Sequence, residues 1–258
     1  MKSKRPLPER LSTQRALIGF LQTHPNPLMA EIAGMCGYDF LLMDGEHGVF
    51  SEMDYLYSLQ ALAGWDILAM VRLREHDVKE VGRYLDMGFD VIVAPNVTSE
   101  EQARALVRAM TYPPSGTRGF GASLHRATRY GIDIAAHLEA PRGTASLLVI
   151  IESAPGLTNV EDIVAVEGVD GVIIGPFDLS AELGGVGEFS SPAYAQAVAR
   201  IELATAARAK LVGTAPHPGN PLEVLLTRGH RLFIVGADMS MVREAMSATL
   251  AKAKSFLL

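Results

Sequence analysis

Eight short apolar runs recur along the chain, and helical patterns separate them. Most of the runs are apolar on both faces, as expected of parallel strands that are covered on both sides. The 258 residues divide into about 32 per run, the size of a βα repeat. The runs therefore predict an α/β fold, a (β/α)8 TIM barrel, with a doubly wound open sheet as the alternative. They are Ala16–Phe20, Asp39–Asp44, Ile67–Arg72, Asp90–Pro95, Leu147–Glu152, Gly171–Gly175, Leu211–Ala215 and Leu232–Gly236.

Amphipathic segments between the runs supply the expected helices. Ser99–Met110 begins with a residue suited to an N-cap and has acidic residues in its first turn. Pro192–Lys210 predicts a long alanine-rich helix, and Met239–Lys254 predicts the last one. No linker divides the chain, so we expect one barrel domain over residues 16–258. Residues 1–15 are locally basic and lack an apolar signal-peptide stretch, which predicts a solvated arm.

Composition excludes several classes of function. The net charge is -6, which disfavours nucleic-acid binding. No apolar run approaches the roughly 18 residues of a membrane span. A single cysteine, Cys36, can form neither an internal disulfide nor a thiolate metal cluster. We therefore expect a soluble cytoplasmic protein.

Polar side chains follow several of the predicted strands directly. Chemistry in a βα barrel takes place at the carboxyl ends of the strands, where these side chains would meet. This expectation that the side chains meet depends only on which residues form the strands. The residues that would surround this mouth are Asp44, Glu46, His47, Arg72, Glu152 and Asp178.

Two of these carboxylates, Glu152 and Asp178, come from neighbouring strands with no thiolate nearby. Such a sparse oxygen set suits a hard, partly hydrated divalent ion, Mg²⁺ or Mn²⁺. The alternative is that each carboxylate caps a helix or pairs with an arginine.

His47 and Arg72 are candidates for the chemistry itself. His47, three residues after Asp44, is a possible base oriented by a carboxylate, or only a surface residue. Arg72 either holds a substrate carboxylate or carbonyl oxygen, or forms an ion pair with Asp44, Glu46 or Glu152.

The motifs that the sequence lacks reduce the number of possible reactions. The chain has no Walker-type nucleotide loop and no nucleophile elbow. None of its lysines falls at the carboxyl end of a predicted strand, which argues against imine catalysis. Metal, histidine and arginine remain, and they fit proton transfer beside a carbonyl, with an enolate stabilised by the ion.

Four sequence blocks carry a family resemblance. From about Ala16 to the C-terminus, the chain resembles the HpcH/HpaI family of class II 2-oxo-acid aldolases, in the family's order and spacing. The family has a TIM-barrel fold and is similar to the citrate lyase β-subunit and malyl-CoA lyase group. The matching blocks are LLMDGEHGVF, YPPSGTRGFG, VIIESAPGLTN and GVDGVIIGPFDLSAELG.

The resemblance implies roles for individual residues. Glu152 and Asp178 match the metal ligands, and His47 matches the catalytic histidine with Asp44 as its partner. Arg72 matches the arginine that binds the oxo acid and stabilises the enolate oxygen. The residues that match the substrate-carboxylate site are Gly175, Pro176, Phe177 and Asp178. Many members have glutamine where Ile150 stands and a small residue where Phe177 stands.

The implied reaction is reversible retro-aldol cleavage of a 4-hydroxy-2-oxo acid to pyruvate, or a close analogue, and an aldehyde. The implied cofactor is a divalent ion, Mg²⁺, Mn²⁺ or Co²⁺. The implied assembly is a homo-oligomer, often a hexamer, in which residues 239–258 pack on a neighbouring subunit. Two alternatives remain: an acyl-CoA thioester lyase with a basic patch from Arg118, Arg126 and Arg129, and a non-catalytic oxo-acid-binding barrel.

Overall fold

A computed structural model describes residues 5–121, 123–139 and 144–257. Its centre is a closed barrel of eight parallel strands in sequence order, in which β8 pairs with β1. This closure confirms the TIM barrel and excludes the open sheet. The strands are β1 (Leu17–Gln22), β2 (Phe40–Asp44), β3 (Leu68–Arg72), β4 (Val91–Ala94), β5 (Ser146–Ile151), β6 (Gly171–Ile174), β7 (Leu211–Thr214) and β8 (Leu232–Ala237).

Helices follow the strands and cover the outside of the barrel. Ser99 caps its helix as predicted, because its side chain accepts a hydrogen bond from the backbone N–H of Gln102. The helices in the described part of the chain are α1 (Leu7–Thr13), α2 (Pro27–Cys36), α3 (Glu52–Ala61), α4 (Val78–Met87), α5 (Glu100–Met110), α6 (Ile134–Leu138), α7 (Ala154–Thr158), α8 (Val160–Ala165), α9 (Pro176–Glu182), α10 (Pro192–Ala207), α11 (Leu222–Thr227) and α12 (Asp238–Lys254).

Alternate residues of each strand face opposite sides of the barrel wall. In β2, Phe40 and Leu42 belong to the cluster inside the barrel, whereas Leu41 and Met43 belong to the layer between strands and helices. Both sides are apolar, so the strands read as continuous apolar runs. Polar side chains are therefore left to the strand ends, where the candidate site lies.

Helix α1 corrects the prediction of a solvated arm. Leu7 is buried, and together with Leu11 it packs against the cluster inside the barrel. The guanidinium of Arg10, on the same helix, is buried and pairs with Asp66. The i, i+4 spacing of the two leucines gives α1 an apolar face, which closes the amino-terminal end of the barrel. The basic residues around it obscured this pattern; residues 1–4 lie outside the described residues.

A glycine in β1 is required by close packing inside the barrel. Gly19 pairs with Phe40 of β2, and a Cβ at Gly19 would lie 2.0 Å from a carbon of the Phe40 ring. We expect Gly19→Ala to lower the free energy of unfolding by about 2–3 kcal/mol in urea titrations, since a packed core must distort to accept the methyl group. Gly64→Ala is the matched control, because nothing lies within 4 Å of its added Cβ. Equal stability of the two variants would contradict this reading.

The last helix is tied to the barrel at its beginning, where Asp238 is the buried residue of α12. The Asp238 carboxylate accepts hydrogen bonds from the backbone N–H groups of Thr23 and His24, at 3.0 and 2.8 Å. Beyond this point α12 presents exposed apolar side chains, including Met246 and Leu250. Its packing on a neighbouring subunit stays a prediction. In the described residues, no helix is long and apolar enough to cross a membrane.

Candidate active site

The turn after β2 places three polar residues at the mouth of the barrel. Asp44 Oδ1 accepts hydrogen bonds from the backbone N–H groups of Glu46 and His47, at 3.1 and 3.3 Å, which fixes the turn. Gly48 allows the chain to pass close to β2, because a Cβ there would lie 2.1 Å from the Asp44 carbonyl oxygen. The DGEHG segment thus folds back over the end of its own strand.

Arg72 is held by two carboxylates. It lies opposite Asp44 in the register of β2 and β3, and its Nε and one terminal nitrogen donate to the two Asp44 oxygens at 2.7 and 2.6 Å. Its other terminal nitrogen is 3.0 Å from Glu46 Oε2. Burial acts to lower the pKa of Arg72, but the Asp44 hydrogen bond and the nearby carboxylates more than offset it and raise the pKa. The guanidinium is therefore a fixed, permanently charged group.

The predicted pairing of Asp44 with His47 is not found. Asp44 contacts His47 only through the backbone N–H, because both of its oxygens are engaged by Arg72. The imidazole instead lies near Glu46, with Nε2 3.7 Å from Oε2, and it is 65% exposed. A strand-end arginine opposite the aspartate competes more strongly for it than a histidine three residues away. Glu46, not Asp44, is thus the carboxylate beside the His47 ring.

Glu152 is a buried carboxylate at the end of β5. Only 7% of the residue is exposed, and Oε1 accepts a hydrogen bond from the backbone N–H of Asn96 at 2.7 Å. Asn96 adopts a left-handed conformation with φ 42, which asparagine tolerates. Burial, with the neighbouring charges of Glu46 and Asp178, raises the pKa of Glu152 to about 7.

The segment after β6 completes the mouth. Gly175 and Asp178 line a cavity of about 350 Å³ together with His47, Arg72 and Glu152. Pro176 and Phe177 line the same cavity. The structure thus brings His47, Arg72, Glu152 and Asp178 around one cavity, whereas Asp44 and Glu46 do not line it and instead pair with Arg72. Their catalytic and binding roles stay predictions.

The absence of a side chain at Gly175 leaves room for the Glu152 carboxylate. A Cβ at this position would lie 2.4 Å from Glu152 Oε2 and 2.7 Å from Glu152 Cβ. We expect Gly175→Ala to displace the carboxylate and to weaken Mn²⁺ binding at least roughly tenfold, by analogy with groups that orient metal ligands. Calorimetric titration with Mn²⁺ measures this. Gly119→Ala is the control, since its Cβ has open space, and unchanged affinity in Gly175→Ala would contradict the prediction.

The titration of Glu152 predicts a pH-dependent stability of the metal-free protein. Its pKa rises from the ordinary 4.5 to about 7 in the folded state, so the folded protein binds the proton more tightly than the unfolded chain. This stabilisation is fully present below about pH 4.5 and is lost as the pH rises through 7, for a total of roughly 3 kcal/mol.

Urea unfolding in EDTA at pH 5 and pH 8 measures the effect. Glu152→Gln removes the titrating group and keeps its shape, so the variant should lose less stability than the wild type between the two pH values. An identical loss in both proteins would show that Glu152 does not carry the effect.

The donor set fits a hard divalent cation. Three carboxylates, from Asp44, Glu46 and Glu152, share Arg72 as a positively charged neighbour, and Asp178 lies near Glu46 and Glu152. Glu152 and Asp178 line the same cavity, so both carboxylates belong to the wall of one site. In the described residues no cluster of three or more His, Cys, Asp or Glu side chains forms a complete metal site. An ion held here would keep open positions for water or substrate.

Other features of the mouth were not predicted. The backbone N–H of Asn96 was missed because no side-chain pattern reports it. His217, which comes shortly after β7, is buried, its Nε2 lies 3.2 Å from the Tyr194 hydroxyl, and it packs on Phe189. It supports the wall behind the mouth and does not line the cavity.

Comparison with known proteins matches this architecture. The sequence model of the HpcH/HpaI aldolase/citrate lyase family covers residues 18–245. A hydroxypyruvate/pyruvate aldolase of Delftia acidovorans is 36% identical over 96% of this chain and 91% of its own length. A 2-keto-3-deoxy-L-rhamnonate aldolase of Escherichia coli is 36% identical over 97% of this chain and 93% of its own.

Solved structures give the same picture. The crystal structure of an HpcH/HpaI aldolase/citrate lyase family protein from Burkholderia cenocepacia J2315 superposes with a TM-score of 0.89 at 29% identity. The match covers 96% of this chain and 98% of that one. Sequence and fold therefore agree over nearly the whole length, and the chain belongs to the HpcH/HpaI aldolase/citrate lyase family.

Proposed function

We propose that this protein is a divalent-metal-dependent aldolase that reversibly cleaves a 4-hydroxy-2-oxo acid to pyruvate, or a close analogue, and an aldehyde. The observation that carries the proposal is the convergence of Arg72, Glu152 and Asp178 on one cavity at the mouth of the barrel. The aldolase names of the two relatives support the same reaction class.

Glu152 and Asp178 are the residues that would hold the ion, and we propose Mg²⁺ or Mn²⁺, with Co²⁺ as a substitute. The oxygen-only donor set and the excess of carboxylates favour these hard ions. When bound, the ion would supply Lewis-acid polarisation of the 2-oxo group.

Arg72 would stabilise the charge that forms during cleavage. As the C3–C4 bond breaks, its electron pair moves into an enolate, and the negative charge gathers on the 2-oxo oxygen. A guanidinium held by Asp44 and Glu46 is preorganised to donate to that oxygen without moving. The backbone around Gly175–Asp178 would hold the substrate carboxylate.

His47 would move the protons. Its imidazole would take the proton of the 4-hydroxyl group as this carbon becomes the aldehyde, and the neighbouring Glu46 carboxylate would stabilise the imidazolium. The enolate carbon then takes up a proton to become the methyl group of pyruvate. Atoms and charge balance, since one oxo acid yields one pyruvate and one aldehyde.

A coupled assay tests the proposal. 4-Hydroxy-2-oxopentanoate is incubated with the protein, and released pyruvate is reduced by lactate dehydrogenase while NADH absorbance is followed. We expect release with Mn²⁺, loss of release in EDTA, and recovery when Mn²⁺ is added back. No release from this or longer 4-hydroxy-2-oxo acids with any of the three metals would contradict the proposal and favour a non-catalytic barrel.

The alternative function, an acyl-CoA thioester lyase, has less support than the aldolase. Arg118 is buried and paired with Asp86, and Arg126 donates to the backbone carbonyls of Met87 and Leu59. Arg129 pairs with Asp133. In the part of the chain that the structure describes, none of these three arginines lines the cavity at the mouth, so they give it no basic wall.

We also propose that the protein acts as a homo-oligomer, with a hexamer as the expected state. The exposed apolar side chains of α12 support this, because a helix so placed gains stability when a second copy covers it. Light scattering on the eluted protein would measure the mass. The cytoplasmic location stays a prediction.

A further inference from the structure

The cavity at the mouth is lined by charged and by apolar side chains. The charged residues are His47, Arg72, Glu152 and Asp178, and together they are called the charged end below. The remaining walls are built from side chains that carry no hydrogen-bonding group. Phe177 and residues 174–176 before it form one part of these walls. The rest consists of Leu21, Leu42, Ile150, Ile173, Ala215 and Ile234.

The apolar walls belong to the rigid centre of the barrel. Leu42, Ile150 and Ile173 are buried and form part of the cluster inside the barrel, while Leu21 and Ile234 pack against it from β1 and β8. These side chains stand on five different strands, and the β-branched isoleucines have restricted rotamers. The walls therefore cannot rearrange to offer a polar partner to a ligand.

Phe177 adds an aromatic wall beside the metal-binding carboxylates. Its ring packs edge-on against Phe189, with centroids 5.3 Å apart and planes at 77°. Phe189 in turn packs on the buried His217, with centroids 3.8 Å apart. The residue is 56% exposed, yet this stack supports its ring on one side. An apolar group next to Asp178 would therefore be flanked by a fixed aromatic face.

We propose that the aldehyde accepted or released by this site has an apolar aliphatic or aromatic chain, and that polyhydroxylated or carboxylate-bearing aldehydes are poor substrates. The inference rests on the proposed aldolase function and specifies its substrate class. The charged end is occupied by the oxo-acid head, so the chain of the aldehyde meets the apolar walls. A cavity of about 350 Å³ is at the small end of ligand pockets, which measure roughly 300–1,000 Å³.

A hydroxyl group buried against such walls loses its water and gains no side-chain partner. Apolar pockets reject an isosteric hydroxyl by up to roughly 10²-fold in kcat/KM. Conversely, each added methylene that reaches the walls should raise kcat/KM roughly fourfold until the cavity is full, from the transfer free energy of a buried methylene. These opposite trends define the expected specificity.

Aldol addition of pyruvate to matched aldehydes tests the proposal. 2-Methylpropanal and lactaldehyde differ only by a methyl group against a hydroxyl group, and propanal and glycolaldehyde form a second such pair. We expect wild-type kcat/KM to favour the apolar member of each pair by up to about 10²-fold. Along propanal, butanal and pentanal, kcat/KM should rise.

A comparison of the wild type with a variant of the apolar wall cancels the intrinsic reactivity of each aldehyde, because that reactivity is the same for every protein tested. Ile150→Gln places an amide in the apolar wall, and we expect it to shift both ratios toward the hydroxylated aldehyde at least roughly tenfold, as when a buried polar group gains a partner. Ile150→Leu is the matched control and should keep the wild-type ratios.

Pyruvate methyl-proton exchange, measured for each protein, shows whether the charged end still works. Wild-type preference for lactaldehyde and glycolaldehyde, with exchange intact, would overturn the inference and leave the aldolase function standing. Ratios that do not shift in an Ile150→Gln variant with intact exchange would also overturn it. Neither exchange nor product with any aldehyde would overturn the aldolase function and this inference with it. If Ile150→Gln fails to fold, the wild-type ratios and the chain-length series still decide.

Discussion

Replacing Arg72 with alanine is expected to lower kcat/KM for retro-aldol cleavage at least roughly 10³-fold. The variant loses the guanidinium that contacts both Asp44 and Glu46, and with it the donor to the developing enolate oxygen. It also leaves the Asp44 carboxylate, which is 1% exposed, without its ion-pair partner. We therefore expect a loss of about 3 kcal/mol in the free energy of unfolding as well.

The double variant Asp44→Asn/Arg72→Ala separates these two effects. Asparagine removes the buried charge, so the stability should recover in urea titrations while the activity stays low. Arg72→Lys keeps the charge but cannot bond both Asp44 oxygens, and its kcat/KM should lie between the wild type and Arg72→Ala. If the double variant regains activity together with stability, Arg72 serves the fold and not the reaction.

Replacing Glu152 with glutamine should abolish turnover for a different reason. Glutamine keeps the size of the side chain and can still accept the Asn96 N–H, but it removes one of the two carboxylates proposed to hold the ion. We expect Mn²⁺ affinity and kcat to fall at least roughly 10³-fold each, because the ion carries the polarisation of the substrate. At pH 8 the metal-free variant should be more stable than the wild type, since the buried charge is gone.

Calorimetric titration with Mn²⁺, steady-state kinetics and urea unfolding measure these three quantities. The matched control is Glu161→Gln, which removes an exposed carboxylate that pairs with Arg200 on the helical layer. The control should change none of them beyond about twofold or 0.5 kcal/mol. Full activity of Glu152→Gln in Mn²⁺ would exclude Glu152 as a metal ligand.

The sequence was sufficient for the barrel and for most of the mouth. Strands buried on both faces leave continuous apolar runs, and a closed parallel barrel sends their carboxyl ends to one place. Asp44, Arg72, Glu152 and Asp178 could therefore be brought together from strand order alone. The match of Asp44 with Arg72 follows from register, because the two residues end neighbouring strands opposite each other.

Side-chain partners were harder to predict than positions. Asp44 was assigned to His47 because the two are near in sequence, yet the bidentate fork of Arg72 takes both Asp44 oxygens and leaves Glu46 beside the imidazole. The role of the Asn96 backbone N–H was hidden for a similar reason, since it depends on a left-handed φ rather than on a residue type with known chemistry. Such contacts depend on angles that residue spacing does not encode.

Helix α1 and the walls of the cavity show what a local sequence pattern does not reveal. The face of α1 is only two leucines wide, and its surroundings are basic and proline-containing, so its role in closing the barrel was missed. The apolar walls of the cavity were also read only as strand core, because Leu42 and Ile173 look the same in sequence whether they fill the barrel or line a pocket. Only the closed barrel shows which of these side chains fill its interior and which line the cavity at its mouth.

Deuterium exchange into the methyl group of pyruvate reports directly whether the mouth of the barrel forms an enolate. NMR would follow the methyl signal in D₂O for the wild type with Mg²⁺, the wild type in EDTA, and the Glu152→Gln and Arg72→Ala variants with Mg²⁺. We expect exchange only in the wild type with Mg²⁺, and at most a residual rate in Arg72→Ala. Exchange that persists in EDTA or in Glu152→Gln, or no exchange in the wild type with Mg²⁺, Mn²⁺ or Co²⁺, would contradict it.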